Sequence, residues 1–171
     1  MKKLFILRHA KSSWDTPDIS DFERPLNDRG LSTAPFMGEL LAGKGIAPDK
    51  IISSPAKRAL YTAMLIRESA GLNTEISYDD RVYEASPQTL RQVVSELPEG
   101  LGSVMLVGHN PGIEGLIRML SGETHTMPTA AFAELSLNIE HWSEVAPDCG
   151  KLLQIIRPKD EQRAASLNLD L

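Results

Sequence analysis

Lys3-Leu4-Phe5-Ile6-Leu7-Arg8-His9 is an apolar run that ends abruptly in two polar side chains. The run is too short for a helix of its own and predicts a buried strand over residues 3–7, with Arg8-His9 at its exit. The same arrangement recurs twice. Residues 50–53 predict a second strand, running into Pro55 and a helix that extends towards Ala70 with Gly71 as its stop. Residues 103–107 predict a third, followed by Pro111 at a helix start and a helix ending near Gly122. Strand, turn and helix in repeated succession is the pattern of an α/β fold. The expected architecture is a three-layer α/β/α sandwich with a mostly parallel central sheet.

Two more helices are expected. One runs from Asp28, a plausible N-cap, to Ala42, with Pro35 in its middle; the other starts at Ser86, an N-cap followed by Pro87, and ends at Leu97. Residues 131–139 and 152–156 read as closing strands, paired as an antiparallel hairpin around Cys149-Gly150. The strand order stays open.

A chain of 171 residues fits one domain and buries about 70% of its unfolded surface on folding. Residues 1–158 are expected to form that domain, and the polar stretch 159–171 a tail that frays or forms a loose helix. Cys149 is the single cysteine, so no internal disulfide is available. The apolar run after Met1-Lys2-Lys3 is too brief for a signal segment or a membrane span, which makes a cytoplasmic protein with no membrane partner the expectation. A formal net charge of −5 argues against broad nucleic-acid binding. Any phosphate site must then be a local concentration of cations.

Such a concentration is written at the three strand exits. They carry Arg8-His9, then Ser53-Ser54-Pro55-Ala56-Lys57-Arg58, then Gly108-His109-Asn110-Pro111-Gly112. In an open parallel sheet the ligand crevice lies outside the carboxyl ends of the strands, so distant segments converge on one pocket. Two arginine forks and the helix starts after Pro55 and Pro111 suit a tetrahedral anion, and a phosphoryl group is the natural occupant. The sequence shows no His and carboxylate cluster at metal-ligand spacing, so neither metal nor other cofactor is expected, and a side-chain nucleophile is required. His9 is the candidate. Neutral imidazole is nucleophilic if one ring nitrogen is kept protonated by an acceptor and the other lone pair faces phosphorus. Arg8, Arg58 and a protonated His109 would spread the charge on the equatorial oxygens.

Other polar residues receive plainer readings. Lys11 and Ser12 are either phosphate or substrate contacts or turn residues, and Ser12 is kept as a candidate substrate-binding residue. Asn110 and Gly112 shape a turn, while His125 and His141 lie in segments without a motif. Residues 38–44 imitate a P-loop, but Gly45 replaces its Ser or Thr and the glycines sit in and just after a helical pattern. Cys149 lacks the arginine of a cysteine-phosphatase loop and reads as a turn thiol. The acidic run Asp15, Asp18, Asp21 and Glu23 reads as a solvated loop that could still select substrates by charge.

Leu7-Arg8-His9-Ala10-Lys11-Ser12, Arg24-Pro25-Leu26-Asn27-Asp28-Arg29-Gly30, the Ser53 to Arg58 stretch and Gly108-His109-Asn110-Pro111-Gly112 together resemble the histidine phosphatase superfamily, in that family's order. The first of these looks like the small SixA-like phosphohistidine phosphatase branch, where Ala often stands in place of the superfamily's usual Gly after the histidine. The resemblance implies a phosphoglycerate mutase-like fold, His9 as phosphoacceptor, and Arg8, Arg58 and His109 as the phosphate pocket. Glu84, in Arg81-Val82-Tyr83-Glu84-Ala85-Ser86, is the candidate general acid. The implied substrate is a phosphohistidine-bearing phosphoprotein of a signalling relay. A small phosphorylated metabolite is the second enzymatic reading, and a non-catalytic phosphate-binding module the third. Length argues against the mutases of the superfamily, which carry substrate-enclosing insertions.

Overall fold

The computed structural model describes residues 1–169 and builds them around one six-stranded sheet. In chain order the elements are β1 (Lys2–Arg8), α1 (Asp28–Gly43), β2 (Lys50–Ser53), α2 (Lys57–Ser69), β3 (Ile76–Tyr78), α3 (Pro87–Ser95), β4 (Ser103–Gly108), α4 (Gly112–Ser121), β5 (Phe132–Leu137), β6 (Gly150–Ile156) and α5 (Pro158–Leu169). The strand order is β3-β2-β4-β1-β5-β6. β3, β2, β4 and β1 are parallel neighbours, and β5 and β6 extend the sheet antiparallel from β1. The mostly parallel α/β/α sandwich and the closing antiparallel pair are as the sequence implies.

β1 shows why the opening stretch decides this architecture. Leu4 and Ile6 pack into one core with Leu90, Val93 and Val94 of α3 and Ile113, Leu116 and Ile117 of α4. Phe5 and Leu7 point the other way, into a second core with Met37 and Leu41 of α1 and Ala59, Ala63 and Ile66 of α2. A strand with helices over both faces has no solvent side, so its sequence runs apolar without alternation. Each such side chain contributes about 1.5–3 kcal/mol on burial. The helices read correctly for the complementary reason: Ile113, Leu116, Ile117 and Leu120 of α4 form one buried stripe at helical spacing.

Four local details sharpen or depart from the expectation. The N-cap of α1 is Asn27, whose side chain accepts from Gly30 N–H at 2.9 Å; Asp28 is the first helical residue. Pro35 sits inside α1 without ending it. β3 is a three-residue edge strand that no periodicity could announce. The stretch after Arg157 is a helix through Leu169, and the 158/159 boundary falls in its first turn. Residues 170 and 171 of the expected tail lie outside the described residues. Among those described, no helix is long and apolar enough to cross a membrane.

One close approach fixes the loop after β1. A Cβ placed on Gly30 would lie 2.2 Å from the carbonyl oxygen of Lys11, so only glycine lets the first turn of α1 seat against that loop. Asn27 N–H also donates to this carbonyl, at 3.0 Å. Gly30→Ala is expected to destabilise the fold by roughly 1–3 kcal/mol, read from denaturant midpoints, and to lower activity by shifting residues 9–12. An unchanged midpoint and turnover would show that the loop relaxes freely.

Candidate active site

The exits of β1, β2 and β4 meet at one end of the sheet, where β1 and β4 run in register from Lys3 opposite Ser103 to Arg8 opposite Gly108. A cleft there is lined by Arg8, His9, Lys11, Ser12, Trp14, Arg24, Arg58, His109, Asn110 and Thr129. Five of the six candidate residues therefore come together: Arg8, His9, Ser12, Arg58 and His109. Glu84 does not line this cleft; it is exposed, with its backbone at φ 54° in the left-handed region.

His9 is held in one tautomer. Its Nδ1 lies 2.7 Å from the Ala10 carbonyl oxygen, and since a carbonyl can only accept, Nδ1 carries the proton and Nε2 keeps the lone pair. The Ala10 peptide is fixed in turn: its N–H donates to Thr62 Oγ1 at 2.9 Å, and the Thr62 hydroxyl donates to the Arg58 carbonyl at 2.7 Å. One run of hydrogen bonds thus links His9 to the segment carrying Arg58. Ala10 is fully buried, which gives its methyl a packing role that glycine could not fill. Burial pushes the His9 imidazole down to about 3, and His109, Arg58 and Arg8 add to that shift. His9 is therefore neutral near pH 7.

His109 stands beside it, ring centroids 5.0 Å apart, with Nε2 2.7 Å from Ser54 Oγ. Burial, then the Arg58 charge, lowers it to about 4. The protonated His109 expected from the sequence is thus not the favoured form, because desolvation and a neighbouring guanidinium both act against a second positive charge. Arg8 donates from Nη1 to Met127 O at 3.1 Å, while its Nε is buried without a protein partner.

Asp21 is the main residue that sequence reasoning missed. Its Oδ1 accepts from Arg24 Nη1 at 2.9 Å, and its Oδ2 accepts from Arg58 Nη2 at 3.0 Å and from the Tyr83 hydroxyl at 2.6 Å. Its carbonyl takes a further bond from Arg58 Nη1 at 2.7 Å. These partners, the Tyr83 hydroxyl first, hold its carboxyl well below the usual range, and the same bond pushes the Tyr83 phenol up to about 12. Asp21 is half-exposed, as its run suggested, but is tied to three partners, whereas Asp15 and Asp18 are exposed. Arg24, the other omission, is buried, donates from Nη2 to Ser12 Oγ, and lies 3.3 Å from the centre of the Trp14 ring. Arg24-Pro25-Leu26 was available as a motif signal; nothing local distinguished Asp21 from its acidic neighbours.

Two outcomes are expected. In Asp21→Asn, Arg58 and Arg24 lose the anion that aims them, so kcat/KM for a phosphorylated substrate falls about 10- to 100-fold, and the Tyr83 phenol titrates closer to its ordinary range. Retained kcat/KM would remove the positioning role. By nitrogen-15 NMR, His9 and His109 stay neutral on acidification from about pH 8 to pH 5, and a midpoint near 6.5 for either would contradict the described burial. Because folding lowers both pKa values, stability is complete above about pH 6.5. It is lost as pH falls towards 4 and 3, by up to about 1.4 kcal/mol per pH unit for each imidazole.

Comparison with known proteins identifies the family. The profile of the histidine phosphatase superfamily (branch 1) matches residues 4–90. The chain is 30% identical over 165 residues to an uncharacterized protein of Mycobacterium tuberculosis strain H37Rv, covering 90% of this chain and 100% of that one. It is 28% identical over 170 residues to an uncharacterized chloroplastic protein of Arabidopsis thaliana, covering 92% of this chain and 78% of that one. Among solved structures, SixA from Agrobacterium tumefaciens superimposes with a TM-score of 0.80 at 30% identity, over 92% of this chain and 98% of that chain. The protein histidine phosphatase SixA complexed with tungstate has the same fold, with a TM-score of 0.81 at 24% identity over 93% and 99% of the two chains. The neighbours also include a phosphoglycerate mutase from Bacillus anthracis, with a TM-score of 0.65 at 16% identity over 78% of this chain and 87% of that chain. From its matched residues and from the likeness of the whole fold, the chain belongs to the histidine phosphatase superfamily.

Proposed function

We propose that this phosphatase hydrolyses phosphohistidine on a protein substrate, without a metal, through a covalent intermediate on His9. The observation that carries the reading is the His9 imidazole, locked with Nδ1 protonated and Nε2 free beside Arg8, Arg58 and His109. Nε2 attacks phosphorus, its lone pair forming the new P–N bond while the bond to the substrate ring, protonated on its other nitrogen, breaks with its electron pair and neutral imidazole leaves. Water then attacks phosphorus, the bond to Nε2 breaks, and inorganic phosphate leaves with His9 restored. Arg8 and Arg58 take up equatorial oxygen charge, where loss of one well-placed donor costs on the order of 100-fold in rate. Ser12 supports the same reading: its oxygen accepts from Arg24, which leaves its own proton for an oxyanion.

The position of Glu84 favours a phosphoramidate over an alkyl ester. An alkoxide needs a proton from a positioned acid, and Glu84 lies outside the cleft lining; an imidazole leaves from a labile P–N bond with less help. The steps above call on no metal, and among the described residues no three His, Cys, Asp or Glu side chains group to hold an ion. Small alkyl phosphates remain the second substrate class, and they would require the Glu84 carboxyl to act. A cytoplasmic setting fits a phosphorelay protein as partner.

Turnover of phosphohistidine and p-nitrophenyl phosphate in excess EDTA separates these readings. The expected result is preference for the phosphoramidate, an acid-labile phosphoenzyme in wild type that is absent from His9→Ala, and less than a threefold effect of Glu84→Gln on phosphoramidate turnover. Activity retained by His9→Ala, or abolished by EDTA, would overturn the mechanism. A large Glu84→Gln defect confined to esters, with no phosphoramidate preference, would favour the small-molecule reading.

A further inference from the structure

A second cleft adjoins the catalytic one, and Lys11 and Thr129 belong to both walls. Its remaining lining is Arg29, Thr33, Pro128, Pro158, Lys159 and Gln162. The walls are held by the framework. The loop carrying Lys11 is seated on α1 at Gly30, and Arg29 and Thr33, four residues apart, share one face of that helix. On the far side Ala130 N–H donates to the carbonyls of Arg8 and His9, at 3.1 and 3.0 Å, which fastens Pro128 and Thr129 to the exit of β1. The first turn of α5 closes the cleft with Pro158, Lys159 and Gln162, and Arg157 Nε donates to Thr126 O at 3.2 Å just before it.

Charge makes this cleft unusual. The chain has 23 acidic against 18 basic residues, yet Lys11, Arg29 and Lys159 make no ion pair among the described residues. Asp28, Asp160 and Glu161 sit on the same helix turns but do not line the cleft. Where carboxylates outnumber cations, three unpaired cations around one concavity beside a phosphate pocket make a local positive field, and such a field selects a partner by complementary charge.

We infer that this cleft is a docking subsite for carboxylate side chains flanking the phosphohistidine of an acidic protein substrate, with Arg29 and Lys159 as specificity-determining residues. The inference rests on the phosphohistidine reading above for what occupies the neighbouring pocket. Lys11, at the shared wall, serves both clefts, so the flanking carboxylates engage while the phosphoryl group faces His9. The contribution is to encounter and KM rather than to the chemical step, and salt weakens it because these side chains are solvent-exposed.

The test uses two phosphohistidine peptides, one with glutamates flanking the histidine and one with glutamines, and the double variant Arg29→Glu/Lys159→Glu, which leaves the catalytic cleft intact. Wild type is expected to favour the Glu peptide in KM by about tenfold at low salt, and the variant to lose or invert that preference. Both should turn over free phosphoimidazole alike. Equal use of the two peptides by wild type, or a preference that survives in the variant, overturns the subsite. Calorimetry with the unphosphorylated Glu peptide gives a readout without turnover, with about tenfold weaker binding expected in the variant. Should wild type cleave no phosphoramidate yet bind this peptide through Arg29 and Lys159, the functional reading falls and the subsite stands; equal binding by both proteins overturns the subsite.

Discussion

The bond from His9 Nδ1–H to the Ala10 carbonyl is the contact on which the site depends, because it decides which ring nitrogen can react. A free imidazole rotates and exchanges tautomers; a nucleophile must do neither. Fixing the acceptor requires fixing the Ala10 peptide, which Thr62 does from α2, and Thr62 is in turn bonded to the carbonyl of Arg58. His9 and Arg58 are therefore parts of one hydrogen-bonded unit. The sheet supplies the remainder, since β1 beside β4 sets His9 against His109 and parallel pairing of β2 with β4 brings in Ser54.

A pocket that gathers Arg8, Lys11, Arg24 and Arg58 in one place must manage their repulsion. Asp21 takes charge from Arg24 and Arg58. Glu114 performs a related service from α4, accepting from the Met127 N–H at 2.7 Å and the Asn110 amide at 2.9 Å, and its charge favours that of Arg8. Asn110 is thus more than a turn former: it joins α4 to the loop whose Met127 carbonyl receives Arg8. The Asp21 carboxylate holds the guanidinium groups of Arg24 and Arg58 in place through direct hydrogen bonds. Groups fixed in this way are strong where charge develops and cost no reorganisation when it does.

The legible part of this protein is the part governed by local periodicity. Leu4–Leu7, the stripe of α4 and the Ser86-Pro87 cap each carry their structural reason within a few residues, and Arg8, His9, Arg58 and His109 follow because strand exits of a parallel sheet converge. Asp21 was opaque for the opposite reason. Nothing within its acidic run separates it from Asp18, and its meaning lies in Arg58 and Tyr83, 37 and 62 residues away. The three-residue β3 is similarly silent, since its pairing to β2 supplies what its sequence does not. Glu84 reads as an acid from its place after Arg81-Val82-Tyr83, yet chain position does not fix the direction of a side chain on a left-handed residue.

The depressed pKa values of the two histidines also connect binding to chemistry. Burial first, and the Arg58 and Arg8 charges after it, lower the affinity of His9 and His109 for protons, so both rings are kept neutral between cationic neighbours. Arrival of the dianion reverses the local sign, and an opposite charge within a few ångströms raises a pKa. His109, which burial alone does not hold as strongly as His9, is the group placed to gain a proton then. On the proposed function, the protonated His109 that would stabilise a transition state forms only with the dianion bound, and proton uptake would accompany substrate binding. Under the same proposal His9 escapes that fate by geometry: its Nδ1 proton is already donated to the Ala10 carbonyl, and its Nε2 lone pair would be committed to phosphorus.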